Sequence, residues 1–171
     1  ICEPGTDQEI GLDAVGMLEV RGPNVFAGYW QMPEKTAEEL RADGFFITGD
    51  LAKIDQDGYV QIVGREKDLI ISGGFNVYPK EIELLVDDIP GVLESAVIGI
   101  PHPDFGEAVV AAIVLDGSNS LDEAAVMGAI GDQIARYKQP KKIVFVPELP
   151  RNTMGKVQKN LLRQDWAALF A

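Results

Sequence analysis

Cysteine and histidine each occur once, as Cys2 and His102. A single cysteine excludes an internal disulfide framework and a cysteine-based zinc site. A single histidine excludes His-rich metal sites and most His-dependent catalytic triads. No metal-ligating residue is singled out. No apolar run approaches the roughly 18 residues of a spanning helix, and no secretory signal pattern is visible. Basic residues are also scarce: 15 Lys and Arg stand against 27 Asp and Glu, for a net charge of −12. That balance excludes a general binder of nucleic acid or of an anionic membrane, which needs a basic face. It leaves room for a local basic pocket holding a phosphate. The expected setting is cytoplasmic and reducing. The chain opens on Ile1 rather than methionine, inside the turn-rich stretch ICEPGTDQEIG, and is expected to be a fragment of a longer protein. What is present is ordinary for a globular chain: 171 residues, 46% hydrophobic and 25% charged. That length suits one domain, or one small domain plus part of another.

Residues 14–22 (AVGMLEVRG) read as a strand, and MPEKTAEELRAD as a short helix opened by Pro33. LAKIDQDGYVQIVG is the clearest hairpin, two alternating runs joined at DQDG. The charged link REKD, residues 65–68, follows. It separates a small β-rich part, residues 1–66, from a second unit, residues 67–171. In the second unit LIIS and FNVY flank Gly73 and Gly74, a turn pair between strands. PKEIELLVDDI puts Ile82, Leu85, Val86 and Ile89 on one helical face. LESAVIGI, EAVVAAIVL and KKIVFVP read as strands. Ser120 with Glu123 forms a capping-box pattern, opening a helix that carries Val126, Met127, Ile130, Ile134 and Tyr137. QKNLLRQDWAALF reads as a closing helix with Leu161, Leu162, Trp166, Leu169 and Phe170 inward. Helices packed on a few strands make the second unit α+β.

Several short stretches can carry chemistry, and each has a plainer reading. Asp50, in FITGDL, stands behind a glycine at the mouth of the hairpin. A carboxylate there can accept two hydrogen bonds from a vicinal diol such as a ribose, or it can satisfy turn donors. Arg65, in GREKD, offers a rigid fork of donors for a phosphate or ribose oxygen, or is a solvated linker charge. The glycines of ISGGFNVYP let a ligand approach the backbone, or simply make a tight turn. The DFG string in HPDFGE has no accompanying HRD loop or Gly-rich phosphate loop, so a kinase reading fails, and His102 reads as a turn residue. PRNTMGK is not a Walker A loop, because Val157 follows Lys156 and Pro150 stands where the first glycine belongs. Lys156 is either delivered on a glycine-hinged loop toward a carboxylate or phosphate, or is, with Arg151 and Lys159, simply a solvated charge.

In this order, TGDL, the hairpin, GREKD, SGGFNVYPKEIE and LPRNTMGKVQK resemble the C-terminal part of the adenylate-forming (AMP-binding) enzymes. That superfamily includes acyl-CoA synthetases, luciferases and peptide-synthetase adenylation domains. The resemblance covers essentially the whole chain, and FFITGDLAKID with IISGGFNVYPKEIE is most similar to malonyl-CoA and methylmalonyl-CoA synthetases. It implies that residues 1–66 end a large N-terminal domain and residues 67–171 form the small mobile α+β C-terminal domain. It implies an acid–thiol ligase: a carboxylic acid and Mg·ATP give acyl-AMP and pyrophosphate, and CoA then displaces AMP. By motif, Asp50 and Arg65 would bind the nucleotide and Lys67 would be the hinge. Ser72, Gly73 and Gly74 would line the pantetheine channel, and Lys156 would be the catalytic lysine of adenylation. ATP with Mg2+ would be held mainly by the absent N-terminal part, where the phosphate loop and acyl pocket lie, and this chain alone would be inactive. Lys156 would also be a target of a protein lysine acetyltransferase, reversed by a deacetylase. Fatty-acyl- and aryl-CoA synthetases are the neighbouring readings within the superfamily. A non-catalytic C-terminal module serving as an acetyltransferase substrate is the reading from another class.

Overall fold

The computed structural model describes residues 1–118 and 120–171. The chain divides into two compact units, Ile1–Lys67 and Asp68–Ala171.

The first unit is a three-stranded antiparallel sheet in the order β1-β2-β3, built from β1 (Gly16–Val20), β2 (Phe46–Ile54) and β3 (Val60–Arg65). The β2–β3 hairpin closes on Asp55, whose Oδ1 accepts the amides of Asp57 at 3.0 Å and Tyr59 at 2.9 Å. Gly58 supplies the positive φ of that turn, at 86°. Met17, Leu51 and Ala52 are buried, whereas Val60 and Ile62 on β3 are exposed. A short helix, α1 (Pro33–Glu39), has proline in its first turn and no buried residue.

The second unit is built around β7 (Gly106–Leu115). Along one edge β7 pairs antiparallel with β6 (Val92–His102) over nearly its whole length. Its other edge is shared. The short hairpin of β4 (Ile70–Ser72) and β5 (Phe75–Val77) joins through Ser72 opposite Gly106, and β8 (Lys142–Phe145) runs parallel beside Val110 to Ile113. The apolar run in β7 follows from burial on both faces. Val109, Ala111 and Ile113 pack with Ile82 and Val86 of α2 (Pro79–Asp87) and Val126 and Ile130 of α3 (Glu123–Ile130). Val110, Ala112 and Val114 face the other way, towards Leu149 and Leu162 of α4 (Lys159–Asp165). Each fully buried isoleucine or valine contributes about 1.5–3 kcal/mol of burial, so these two clusters hold the unit together. The result is an α+β unit with a helix layer on each side of one sheet. His102 ends β6, and its Nδ1 accepts the Asp104 amide at 3.1 Å, as a turn residue would.

Two helices differ from expectation. The α3 cap is Asp122, whose carboxylate accepts the Ala125 amide at 2.8 Å. Ser120 and Glu123 do not form a capping box, because Glu123 instead pairs with Lys142 at 3.0 Å. The helix ends at Ile130, before Ile134 and Tyr137. Gln139 closes its end by donating to the Gly131 carbonyl at 2.8 Å. The closing helix α4 spans only Lys159–Asp165, the chain turns from Trp166 onward, and Leu169 is exposed rather than inward. Among the described residues no helix is long and apolar enough to cross a membrane.

Candidate functional site

The expected site residues fall in both units.

In the first unit Asp50 and Arg65 lie opposite each other in the β2–β3 ladder. Arg65 Nε is 2.9 Å from Asp50 Oδ1, and its Nη1 donates to the Thr48 carbonyl at 3.1 Å. Thr48 Oγ1 in turn accepts the Asp50 amide at 3.0 Å and donates to the Leu18 carbonyl at 2.8 Å. Gly49, between Thr48 and Asp50, takes φ +72°, a conformation that suits glycine. The pair lines an open cleft of about 750 Å3 with Tyr29, Lys35, Glu39 and Lys67. Tyr29 donates to Glu39 at 2.5 Å, a bond that raises the phenol above its ordinary pKa. Asp50 uses one oxygen on Arg65, and its second oxygen makes no hydrogen bond or ion pair among the described residues.

Glu66, Lys67 and Asp68 form a single 3-10 turn, with Lys67 exposed. On the far side of the turn Asp68 is held in the second unit by Arg163 of α4, at 2.7 Å. Gly73 and Gly74 make the β4–β5 turn at φ +58° and +81° and are exposed. Gly73 donates to the Phe105 carbonyl at 2.8 Å. Ser72 is buried, so the surface this turn offers is glycine backbone flanked by exposed Phe75 and Phe105.

The turn carrying Lys156 is the most organised of these places. Arg151 and Val157 bridge across it, and Asn152 donates its amide to the Lys156 carbonyl at 2.9 Å. Gly155 bonds back to the Asn152 carbonyl at 2.9 Å and takes φ +77°. This is a three-residue hairpin loop with glycine at the left-handed position. Asn152 Oδ1 also accepts the amides of Met154 and Lys156, both at 3.0 Å. The three cations of the segment have different fates. Arg151 pairs with Glu94 of β6. Lys159 pairs with the buried Glu83 of α2 at 2.6 Å. Lys156 is exposed and makes no ion pair among the described residues. Glu83, Glu94 and Asn152 carry this arrangement and were not singled out by sequence. Asn152 was findable, because an asparagine three residues before a glycine is a turn signal with a mechanism. The glutamates lie too far along the chain for any local pattern.

Residues 81–156 match the family model described as the AMP-binding enzyme C-terminal domain, a span that ends on Lys156. Among solved structures, ATP-bound MatB from Rhodopseudomonas palustris is 58% identical, with a TM-score of 0.93, over 100% of this chain and 34% of that one. Indoleacetate–CoA ligase of Aromatoleum aromaticum is 46% identical over 164 residues, 96% of this chain and 32% of the relative. The long-chain-fatty-acid–CoA ligase FadD13 of Mycobacterium tuberculosis is 42% identical over 164 residues, again 96% and 32%. The chain spans about a third of the length of the relatives it matches.

Proposed function

The chain belongs to the AMP-binding enzymes, and from that premise we propose that it is the C-terminal part of an ATP-dependent acid–thiol ligase. The carboxylate oxygen attacks the α-phosphorus of ATP, and the bond to pyrophosphate breaks. The CoA sulfur, having lost its proton, then attacks the acyl carbon, and AMP leaves. The proposed acid is malonate or methylmalonate. Support for it comes from the TGDL and SGGFNVYP wording and the 58% identity to MatB. Relatives named for indoleacetate and for long-chain fatty acids match the same segment at 46% and 42%. This third of the enzyme therefore carries shared chemistry, and the acid pocket belongs to the rest.

One observation carries the reading. Lys156 is exposed on a fixed turn and makes no ion pair among the described residues, while its two cationic neighbours pair with Glu94 and Glu83. Adenylation brings a carboxylate against an anionic phosphate, and an ammonium aimed at the junction stabilises charge as it shifts. Thioester formation has no attacking carboxylate and no use for that lysine. A small C-terminal domain, residues 67–171, that turns at Lys67 would bring Lys156 in for the first step. It would then present the Gly73 and Gly74 backbone, with neighbouring Ser72, to the pantetheine arm for the second. Asp50 would accept from the ribose hydroxyls through its second oxygen, with Arg65 beside it. Among the described residues no group of three or more His, Cys, Asp or Glu is placed to hold a metal. ATP with its Mg2+ would be held mainly by the N-terminal part of the enzyme.

The exposed Lys156 is also open to a protein lysine acetyltransferase, and acetylation would remove the charge on which adenylation depends. A deacetylase would restore it. Mass spectrometry of Lys156 after treatment with acetyltransferase tests this, and an unmodified lysine speaks against it.

The complete protein, given Mg·ATP, CoA and malonate or methylmalonate, should release AMP and form the thioester. Indoleacetate and long-chain fatty acids should react poorly. No AMP formation with any acid in that panel would overturn the ligase reading, and a preference for a fatty or aryl acid would overturn the choice of acid.

A further inference from the structure

Lys156 is exposed, yet the peptide bond that carries it is gripped at both ends. Its carbonyl, that of Gly155, accepts from Arg151 Nη1 at 2.6 Å. Its amide, that of Lys156, donates to Asn152 Oδ1 at 3.0 Å. Gly155 takes φ +77°, with nothing within 4 Å of a built Cβ. Without these two side chains the peptide plane could swing, and Lys156 with it. The other half of the Arg151 fork, Nη2, pairs with Glu94. Glu94 stands near the start of β6, in register with Val114 near the end of β7.

We propose that Arg151 is a positioning residue for adenylation, tying the Gly155–Lys156 peptide to the sheet through Glu94 and so fixing the direction in which Lys156 is presented. This rests on Lys156 acting in adenylation. Arginine suits the role because its planar fork serves two acceptors at once, which a lysine ammonium on a flexible stem does not. Glu94 has a second effect. It cancels the guanidinium charge, so among the described residues Lys156 is the basic side chain of the turn without an ion pair. Positioning of this kind acts on rate: a displacement of about 1 Å at a reacting group can cost on the order of a hundredfold.

The test uses the complete enzyme and measures adenylation, as acid-dependent pyrophosphate exchange, and transfer, as thioester formation from supplied acyl-adenylate. Arg151→Ala should lower kcat for adenylation by about tenfold to a hundredfold, with KM for ATP and the rate of transfer little changed. Arg151→Lys should leave most of that loss in place. Equal loss in both steps, or no loss in either, would overturn the proposal. If Arg151→Ala fails to fold, Glu94→Gln carries the same test, because it keeps an acceptor but loosens the tether, and an adenylation-selective fall is again expected. Lys156→Ala is the reference. If it leaves adenylation intact, the reading of Lys156 fails. If it abolishes adenylation while Arg151→Ala changes nothing, only the positioning role fails.

Discussion

Lys159 Nζ lies 2.6 Å from Glu83 Oε1, and that same oxygen accepts the Val97 amide at 2.9 Å. One carboxylate thus joins α2, the open edge of β6 and the start of α4, directly after the turn that carries Lys156. Glu83 is buried, with 7% of its surface exposed. Breaking a buried pair from one side strands the partner charge, at a cost of about 3–5 kcal/mol. Lys159 is partly open, so the lower end applies. Glu83→Ala should therefore destabilise the second unit by about 3 kcal/mol. Hydrogen exchange should show the Val97 amide losing protection first. Protection unchanged at Val97 would contradict the account.

Gly155 should be replaceable only by residues that tolerate its backbone. A built Cβ there meets nothing within 4 Å, so the constraint is φ +77° alone. Alanine in that region costs about 1–2 kcal/mol, and asparagine less. Adenylation rates should accordingly rank glycine, then asparagine, then alanine, then valine. Transfer from supplied acyl-adenylate should be similar in all four. A valine variant equal to the parent in adenylation would show that the turn geometry does not matter.

Asp50 separates a binding role from a structural one. Its pair with Arg65 is half-open, with side chains 23% and 50% exposed, and such pairs contribute about 0–1 kcal/mol to stability. Asp50→Ala should thus leave the melting temperature nearly unchanged. If the free oxygen receives ribose hydroxyls, KM for ATP should rise by about tenfold, the equivalent of one lost hydrogen bond to a charged group. KM for the acid should stay put. A large fall in melting temperature with unchanged KM for ATP would reverse the assignment.

Much of the architecture was legible because the apolar runs repeat with the period of their elements. β7 reads as a strand from EAVVAAIVL, and its lack of alternation reports burial on both faces. Ile134 and Tyr137 kept helical spacing yet lie beyond α3. The Gln139 side chain, bonded to the Gly131 carbonyl, ends that helix, and periodicity is blind to such a contact. The site was legible as residue types but not as a choice between unpaired and paired charges. Arg151, Lys156 and Lys159 look alike in sequence, and what separates them is Glu94 and Glu83, on different elements of the sheet unit. Long-range ion pairs leave no local trace.

The central claim is that Lys156 serves one half of the reaction. Its most direct test is Lys156→Ala in the complete enzyme, with acid-dependent pyrophosphate exchange and thioester formation from supplied acyl-adenylate measured side by side. The account predicts a loss of exchange by at least about a hundredfold, the scale of losing one preorganised charge-stabilising group, with transfer within about twofold of the parent. An equal fall in both, or exchange at the parental rate, would contradict it.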